Sequence, residues 1–336
     1  SRATMSRLVD ELIATDLVEE SDDKLATGGR GRPTSVLSPA SGTVIALGLQ
    51  VNISVLGAYL VDLSGNVLAR ETQDGDFSGS DPQTILRKLA RMGRRVLHAG
   101  REEGTVFLGS ALALPGLVSG DTLVTAPNLG WKNIPFEELT HPLHDLHVTL
   151  IANEADLAAF AVAHPRPGVP EGPASFIYVS GEVGIGGGLV FNHQPLGGAH
   201  GWSGEIGHIC VEPQGNVCSC GARGCLETIA GLKALCRAAG LGDEASAREL
   251  TQLAGHSAKA QDALANAGHA LEQALAGVVN TVDISQVYLG GLVAETAPYL
   301  LPTLHEELET RVLQAPWYAP AIDILPSSED LSLRGG

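Results

Sequence analysis

No apolar run in this 336-residue chain reaches the roughly 18 residues that a membrane-spanning helix needs, so no membrane partner is expected. The first residues lack the basic, apolar and small-residue succession of a secretory signal, which makes a cytoplasmic location the expectation. Basic charge is scarce: 21 Lys and Arg stand against 38 Asp and Glu, a net charge of −17. A surface of that sign does not coat nucleic acid by neutralising phosphates, although it leaves room for a small DNA-reading head on an acidic body. Disulfide-style cysteine usage is absent too. Three of the five cysteines, Cys218, Cys220 and Cys225, fall within eight residues, and no secretion signal accompanies them. A metal site is expected there rather than disulfides.

The chain is long enough for two ordinary domains and a small module. In residues 1–20, Met5, Leu8, Val9, Leu12 and Ile13 recur at helical spacing and predict an amphipathic helix. GGRGRPTSVLSP then reads as a glycine-rich hairpin with a second strand. From Val44 the pattern turns to strands: VIALGLQV, SVLGAYLVDL and NVLARET. A helix is predicted from Asp81 to about Arg101, since Ile85, Leu89, Met92 and Val96 share a face. VFLGSALAL and HVTLIAN read as further strands, the latter running straight into a helix, EADLAAFAVA. After proline-rich residues 164–173 the pattern restarts with ASFIYVS and GGGLVFN, which predicts a second, similarly built lobe. Residues 229–285 are helical in character, VYLGGLVAE reads as strand, turn and helix start, and AIDILP as a last strand. The first helix lacks partner helices before it, and LSLRGG stops where another helix could begin, so residues beyond both ends are expected.

The most specific string is GEIGHICVEPQGNVCSCGARGCLE, residues 204–227. Cys218, Cys220 and Cys225 sit on a tight loop threaded with glycines, and His208 lies ten residues upstream. Three thiolates and one imidazole suit tetrahedral Zn²⁺ in a closed structural site. Glu205 and Glu227 flank these ligands; a metal that orders the loop would fix both carboxylates for bonding to hydroxyl groups.

This string resembles the signature of the ROK family of repressors, uncharacterised members and sugar kinases, in which an ExGH motif precedes a CxCGxxGCxE zinc loop. The resemblance extends over the whole chain and points to the repressor branch. It implies an α/β fold of two actin-like, ribonuclease-H-like lobes around a central sugar cleft, here preceded by part of a winged helix-turn-helix. The domains expected on that basis are residues 1–38 (recognition helix and wing), 43–150 (N-terminal lobe) and 151–330 (C-terminal lobe with the zinc loop). The resemblance also implies that Glu205, His208 and Glu227 touch the sugar, with His208 binding zinc as well. ANEAD at 152–156 resembles the family's Asn-Asp pair, and PG at 115–116 and PNLGW at 127–131 resemble other sugar-contacting loops. These nominate Asn153, Glu154, Gly116 and Asn128; Asn153 is equally well placed simply to cap the helix that follows.

Departures from the kinases then bear on activity. Glu154 stands where the kinases carry their aspartate base, and GLQVNIS at 48–54 stands where their first phosphate loop carries an acid and paired glycines. Gln50, Asn52 and Ile53 remove the acid and bring side chains where backbone N–H groups would approach phosphate. SGEVGIGGG at 180–188 and VYLGGL keep their glycines, and each reads either as a nucleotide loop or as an ordinary turn.

At the other end, a helix beginning SRATMSRLVDEL and a glycine-rich hairpin resemble the recognition helix and wing of the family's repressors. The N-terminal residues of such a helix read the major groove, which nominates Arg2, Thr4, Ser6 and Arg7; Arg30 and Arg32 on the hairpin suit minor-groove or phosphate contact. Residues 1–35 carry five basic and seven acidic side chains, so charge alone gives this no support. The resulting expectation is a non-catalytic, sugar-responsive repressor, homodimeric or a higher homo-oligomer, with operator DNA and a sugar effector as partners. An ATP-dependent ROK sugar kinase is the alternative, and a zinc-stabilised sugar-binding module without output is the third.

Overall fold

The computed structural model describes residues 2–24, 35–181, 183–325 and 330–336. Helix α1 (Arg2–Ala14) forms where the apolar spacing predicts it. It stops where the Thr15 hydroxyl bonds back to the carbonyls of Glu11 and Leu12 and Asp16 turns to a positive φ of 53°. Its stripe of Met5, Leu8 and Leu12 remains exposed. Strand β1 (Val18–Lys24) pairs antiparallel with β2 (Ser35–Pro39). The tip of the expected wing, with Arg30 and Arg32, lies outside the described residues.

A first lobe follows, made of β3 (Val44–Val51), β4 (Val55–Asp62), β5 (Val67–Asp74), α2 (Pro82–Gly100) and β6 (Val106–Leu114). After β6 comes a small antiparallel sheet of β7 (Leu117–Ser119), β8 (Thr122–Ala126) and β9 (Trp131–Pro135). Helix α3 (Phe136–Thr140) then leads to β10 (Val148–Asn153). Helix α2 starts at Asp81, whose carboxylate accepts from the Thr84 N–H at 2.7 Å, and Pro82 suits its first turn. Its predicted face, Ile85, Leu89, Met92 and Val96, is buried with Leu47, Leu49, Leu56 and Leu60 of the sheet. The strands β7–β9 are too short to give an alternating signal and go unforeseen in the sequence.

Helix α4 (Glu154–Ala163) crosses to a second lobe, which opens with β11 (Phe176–Gly181), β12 (Ile185–Phe191) and the two-residue β13 (Gln194–Pro195). Four helices come next: α5 (Glu227–Ala230), α6 (Leu232–Ala239), α7 (Ala247–Ala254) and α8 (Ala258–Val282). The lobe ends with β14 (Gln286–Gly290), α9 (Gly291–Glu295), α10 (Ala297–Arg311) and β15 (Ala321–Ile324). Pro302 lies inside α10, which hides that helix from a reading of the sequence.

The large sheets have orders β10-β6-β3-β4-β5 and β13-β12-β11-β14-β15. Counted within each of these sheets, both run third, second, first, fourth, fifth. In both, the first three strands pair antiparallel and the first, fourth and fifth pair parallel. The restart of the strand pattern after residue 173 is therefore a duplication of topology, as expected. Helix α11 (Leu331–Gly335) returns from the second lobe to pack on α4 and the first-lobe sheet. Gly57 admits it: a Cβ there would lie 2.8 Å from Leu333 Cδ1. Asp330 anchors the return, accepting from the Tyr59 hydroxyl and lying 3.6 Å from Arg70 Nη1.

Candidate functional site

Between the lobes, the β3–β4 turn, the end of β8, the N-terminus of α4, the β11–β12 turn and the 205–227 segment enclose a cleft. Gln50 and Asn52 enter it from the first lobe, only 4% and 3% exposed. Gln50 Nε2 donates to Glu154 Oε2 at 3.1 Å, while Asn52 Nδ2 donates to Oε1 and Oε2 at 2.9 and 2.8 Å. Asn52 Oδ1 accepts from the Ser54 N–H at 3.0 Å, so the amide is itself held in place. Burial pushes the Glu154 carboxyl above its ordinary pKa, and the bonds from Asn52 and Gln50 oppose that shift. Ile53 packs in the first-lobe core with Phe77, and the Asn52 N–H closes the hairpin on Val55 O at 2.9 Å. Three of the residues that depart from the kinase pattern, Gln50, Asn52 and Glu154, thus form one interlocked unit.

Asn153 caps α4, its Oδ1 accepting from the Ala155 N–H at 2.7 Å, and its Nδ2 donates to Gly116 O at 2.8 Å. Gly116 has φ of 93°, and a Cβ there would sit 2.8 Å from the Ala126 Cα, so glycine is required where the two segments cross. Asn128 lines the same cleft wall with Asn153 and Gly116.

Also along the cleft, a short 3₁₀ turn, Ile206–His208, presents His208 to the cysteine loop. One ligand atom from each of His208, Cys218, Cys220 and Cys225 lies within 4.8 Å of the others. Cys218 Sγ is 3.7 Å from His208 Nδ1, and Cys220 Sγ is 3.8 Å from Cys225 Sγ. Zinc–thiolate bonds of about 2.3 Å at tetrahedral angles require an S–S edge of roughly 3.8 Å, so this donor set fits a zinc-sized ion. Cys236 is buried in the second-lobe core, and Cys210 is exposed outside the four-residue cluster.

The two flanking glutamates are placed by this loop. Glu227 Oε1 accepts from Ser219 Oγ at 3.3 Å, and Oε2 accepts from the Ile185 N–H of the β11–β12 turn at 3.2 Å. Glu205 Oε2 lies 3.8 Å from His208 Nε2, so the imidazole faces thiols with one nitrogen and a carboxylate with the other. Burial raises the Glu205 carboxyl, His208 lowers it and Glu227 raises it further. Asp156, not singled out in the sequence, belongs to this group: burial and the charge of Glu205 push its carboxyl up to about 7. Its only sequence signal is its place two residues after Glu154.

The retained glycines serve packing. A Cβ on Gly187 would meet Ile206 Cδ1 at 2.7 Å, and one on Gly188 would meet Ala159 Cβ at 2.7 Å. Gly291, with φ of 54°, lets α9 start against β11. These three glycines therefore sit where strands and helices pack closely. Outside the cleft lining, Thr4, Ser6 and Arg7 are exposed on α1, and Arg2 is its first residue. Arg7 Nε is 3.5 Å from Glu11 Oε1, a solvent-exposed pair of small energetic weight.

Fold and cleft together define a mixed α/β protein of the sugar-kinase, actin-like type. The ROK family profile matches residues 47–335, and the chain belongs to the ROK family. It is 27% identical over 331 residues to the xylose repressor of Bacillus subtilis (strain 168), covering 98% of this chain and 84% of that protein. It is 31% identical over 278 residues to the kanosamine kinase of Amycolatopsis mediterranei (strain S699), covering 81% of this chain and 88% of the kinase. The crystal structure of a ROK family transcriptional regulator, a homologue of the E. coli MLC protein, superimposes with a TM-score of 0.75. That match covers 100% of this chain and 88% of the regulator at 24% identity. No helix among the described residues is long and apolar enough to cross a membrane.

Proposed function

We propose that the chain is a sugar-responsive transcriptional regulator, a repressor of carbohydrate genes, on a sugar-kinase fold without phosphoryl-transfer activity. The observation that carries this reading is the clamp on Glu154: Gln50 and Asn52 hold both oxygens of the carboxylate that a kinase would aim at the sugar hydroxyl. With Ile53 in the core, the first phosphate loop also lacks the backbone approach that transfer depends on. In this reading the effector lies among Glu205, His208, Glu227, Gly116, Asn128, Asn153 and Glu154, all of which line the cleft. His208, Cys218, Cys220 and Cys225 hold a structural Zn²⁺, which ties the loop down and keeps Glu205 and Glu227 in place. Residues 1–38 act as recognition helix and wing of a winged helix-turn-helix, with Arg2, Thr4, Ser6, Arg7, Arg30 and Arg32 toward DNA. Residues 43–150 and 151–330 form the sugar-binding lobes of a cytoplasmic homodimer. Sugar affects operator binding because it has different affinity for the DNA-competent and DNA-incompetent states.

Calorimetry against free hexoses, pentoses and amino sugars tests the reading, together with footprinting on DNA near the gene. At least one sugar should bind, lose its binding in Glu227→Ala and change the footprint. A flat response across the panel would remove the effector model. A second reading, a sugar kinase, draws on the 31% identity to kanosamine kinase; sugar-dependent ADP release by the unaltered protein at roughly 1–100 per second would establish it.

A further inference from the structure

We propose that the cleft selects an unphosphorylated, non-anionic sugar and rejects the phosphate ester of the same sugar. This rests on the sugar-effector reading and adds the charge class of the ligand. Glu154, Glu205 and Glu227 line the cleft, and Asp156 stands beside Glu205, whose charge it feels. Among the described residues lining the cleft there is no lysine or arginine. His208 is the one lining side chain able to carry a positive charge, and it is engaged between Cys218 and Glu205. A bound metal does not reverse the balance. A dication held by three thiolates and a neutral imidazole leaves that centre with a net negative charge.

Four backbone N–H groups around the cleft are also occupied, each by an oxygen of the protein. The α4 N-terminus gives its Ala155 and Asp156 N–H groups to Asn153 Oδ1, and its first residue is the carboxylate Glu154. In the β11–β12 turn the Ile185 N–H goes to Glu227 Oε2. The Asn52 N–H closes its own hairpin on Val55 O. A phosphate ester carries close to two negative charges at neutral pH. It would enter a low-dielectric cleft of like sign with these donors already taken, whereas hydroxyl groups find carboxylate acceptors there.

Isothermal titration of the full chain at pH 8 would compare xylose, glucose, glucosamine and N-acetylglucosamine with glucose 6-phosphate and N-acetylglucosamine 6-phosphate. The expected result is that glucose or N-acetylglucosamine binds and its 6-phosphate binds at least about 100-fold more weakly, with glucosamine no weaker than glucose. Asp156→Asn removes one charge without altering a lining residue and should narrow that ratio several-fold. A phosphate ester that binds as tightly as its parent sugar, or a ratio unmoved by Asp156→Asn, would overturn the proposal. Binding of phosphate esters alone overturns it while leaving the sugar-effector reading intact. Binding by none of the six compounds overturns that reading, and this proposal with it.

Discussion

Asn52 Nδ2 sits between the two carboxylate oxygens of Glu154, 2.9 and 2.8 Å away, joining the end of the first strand of one lobe to the helix that crosses to the other. Both residues depart from the pattern of the kinases that the sequence resembles, and each accounts for the other. A longer acid in place of aspartate reaches the hairpin, and an amide in place of a glycine meets it with donors.

Removing the amide should therefore cost stability before it affects anything else. Asn52→Ala leaves a buried carboxylate with the single Gln50 donor, and a loss of about 1–3 kcal/mol in urea unfolding is expected. Asn52→Asp should cost more, since two carboxylates would then share one buried site. Equal stability of all three proteins would show that the clamp carries no weight.

On the proposed reading, phosphoryl transfer is absent and should stay so when Glu154 alone is shortened. Glu154→Asp withdraws the carboxylate from the amides but leaves Ile53 packed with Phe77 in the core, where a phosphate-approaching glycine would be needed. A coupled ADP-release assay should read zero for Glu154→Asp with every sugar that binds. Only a variant that also reverts Gln50, Asn52 and Ile53 is expected to give turnover.

The proposed metal site predicts about one zinc equivalent per chain in protein purified without added metal, measured by elemental analysis. Cys220→Ser should lose it and weaken sugar binding, because Glu227 takes a bond from Ser219 within the same loop. Zinc-free protein that folds and binds sugar normally would contradict both roles of the loop.

Much of this was legible in the sequence, and the illegible parts have physical reasons. The cysteine loop is local, so spacing alone brings His208, Cys218, Cys220 and Cys225 together. Helix α4 and strand β3 come out with their ends where the apolar pattern places them, because each is bounded by polar or turn residues. The clamp is a different matter: Gln50 and Glu154 are 104 residues apart, and neither side chain announces a partner. Asp156 is likewise invisible, since its environment is set by burial and by Glu205, which is distant in the sequence. Asn153 shows the limit from the other side. A cap was foreseen as its plain alternative, and its side chain does cap α4 while also holding Gly116.

Asp156 gives the stability a pH dependence of definite sign. Its carboxyl is raised from the ordinary 3.8 to about 7 in the fold, so the folded state holds its proton more tightly than the unfolded one. The associated stability is fully present below about pH 4 and is lost as pH rises through 7. Asp156→Asn should match the parent near pH 4 and exceed it by roughly 2–4 kcal/mol at pH 8. Urea midpoints measured at both pH values decide this, and a variant no more stable at pH 8 would count against the burial of that charge.

The N-terminal helix sets the last expectation. Met5, Leu8 and Leu12 form an apolar stripe that is 63%, 46% and 40% exposed, so among the described residues α1 is not seated against a supporting core. A recognition helix reads bases only when its orientation is fixed by the elements packed behind it. The 336-residue chain should therefore bind DNA near its gene weakly and with little sequence preference, as seen in a gel-shift titration. Where the stripe is covered by additional helices, binding should become site-specific over a two-fold symmetric footprint. In that protein Arg7→Ala should weaken binding; its partner Glu11 is too exposed for the loss of the pair to unfold the helix. If Arg7 contacts a phosphate, the slope of log affinity against log salt should fall by about one and all sequences should weaken alike. If it reads a base, discrimination at one position should drop instead, by about 1–3 kcal/mol. An Arg7→Ala protein that binds its site unchanged would remove Arg7 from the interface, and tight site-specific binding by the 336-residue chain would show that α1 needs no further support.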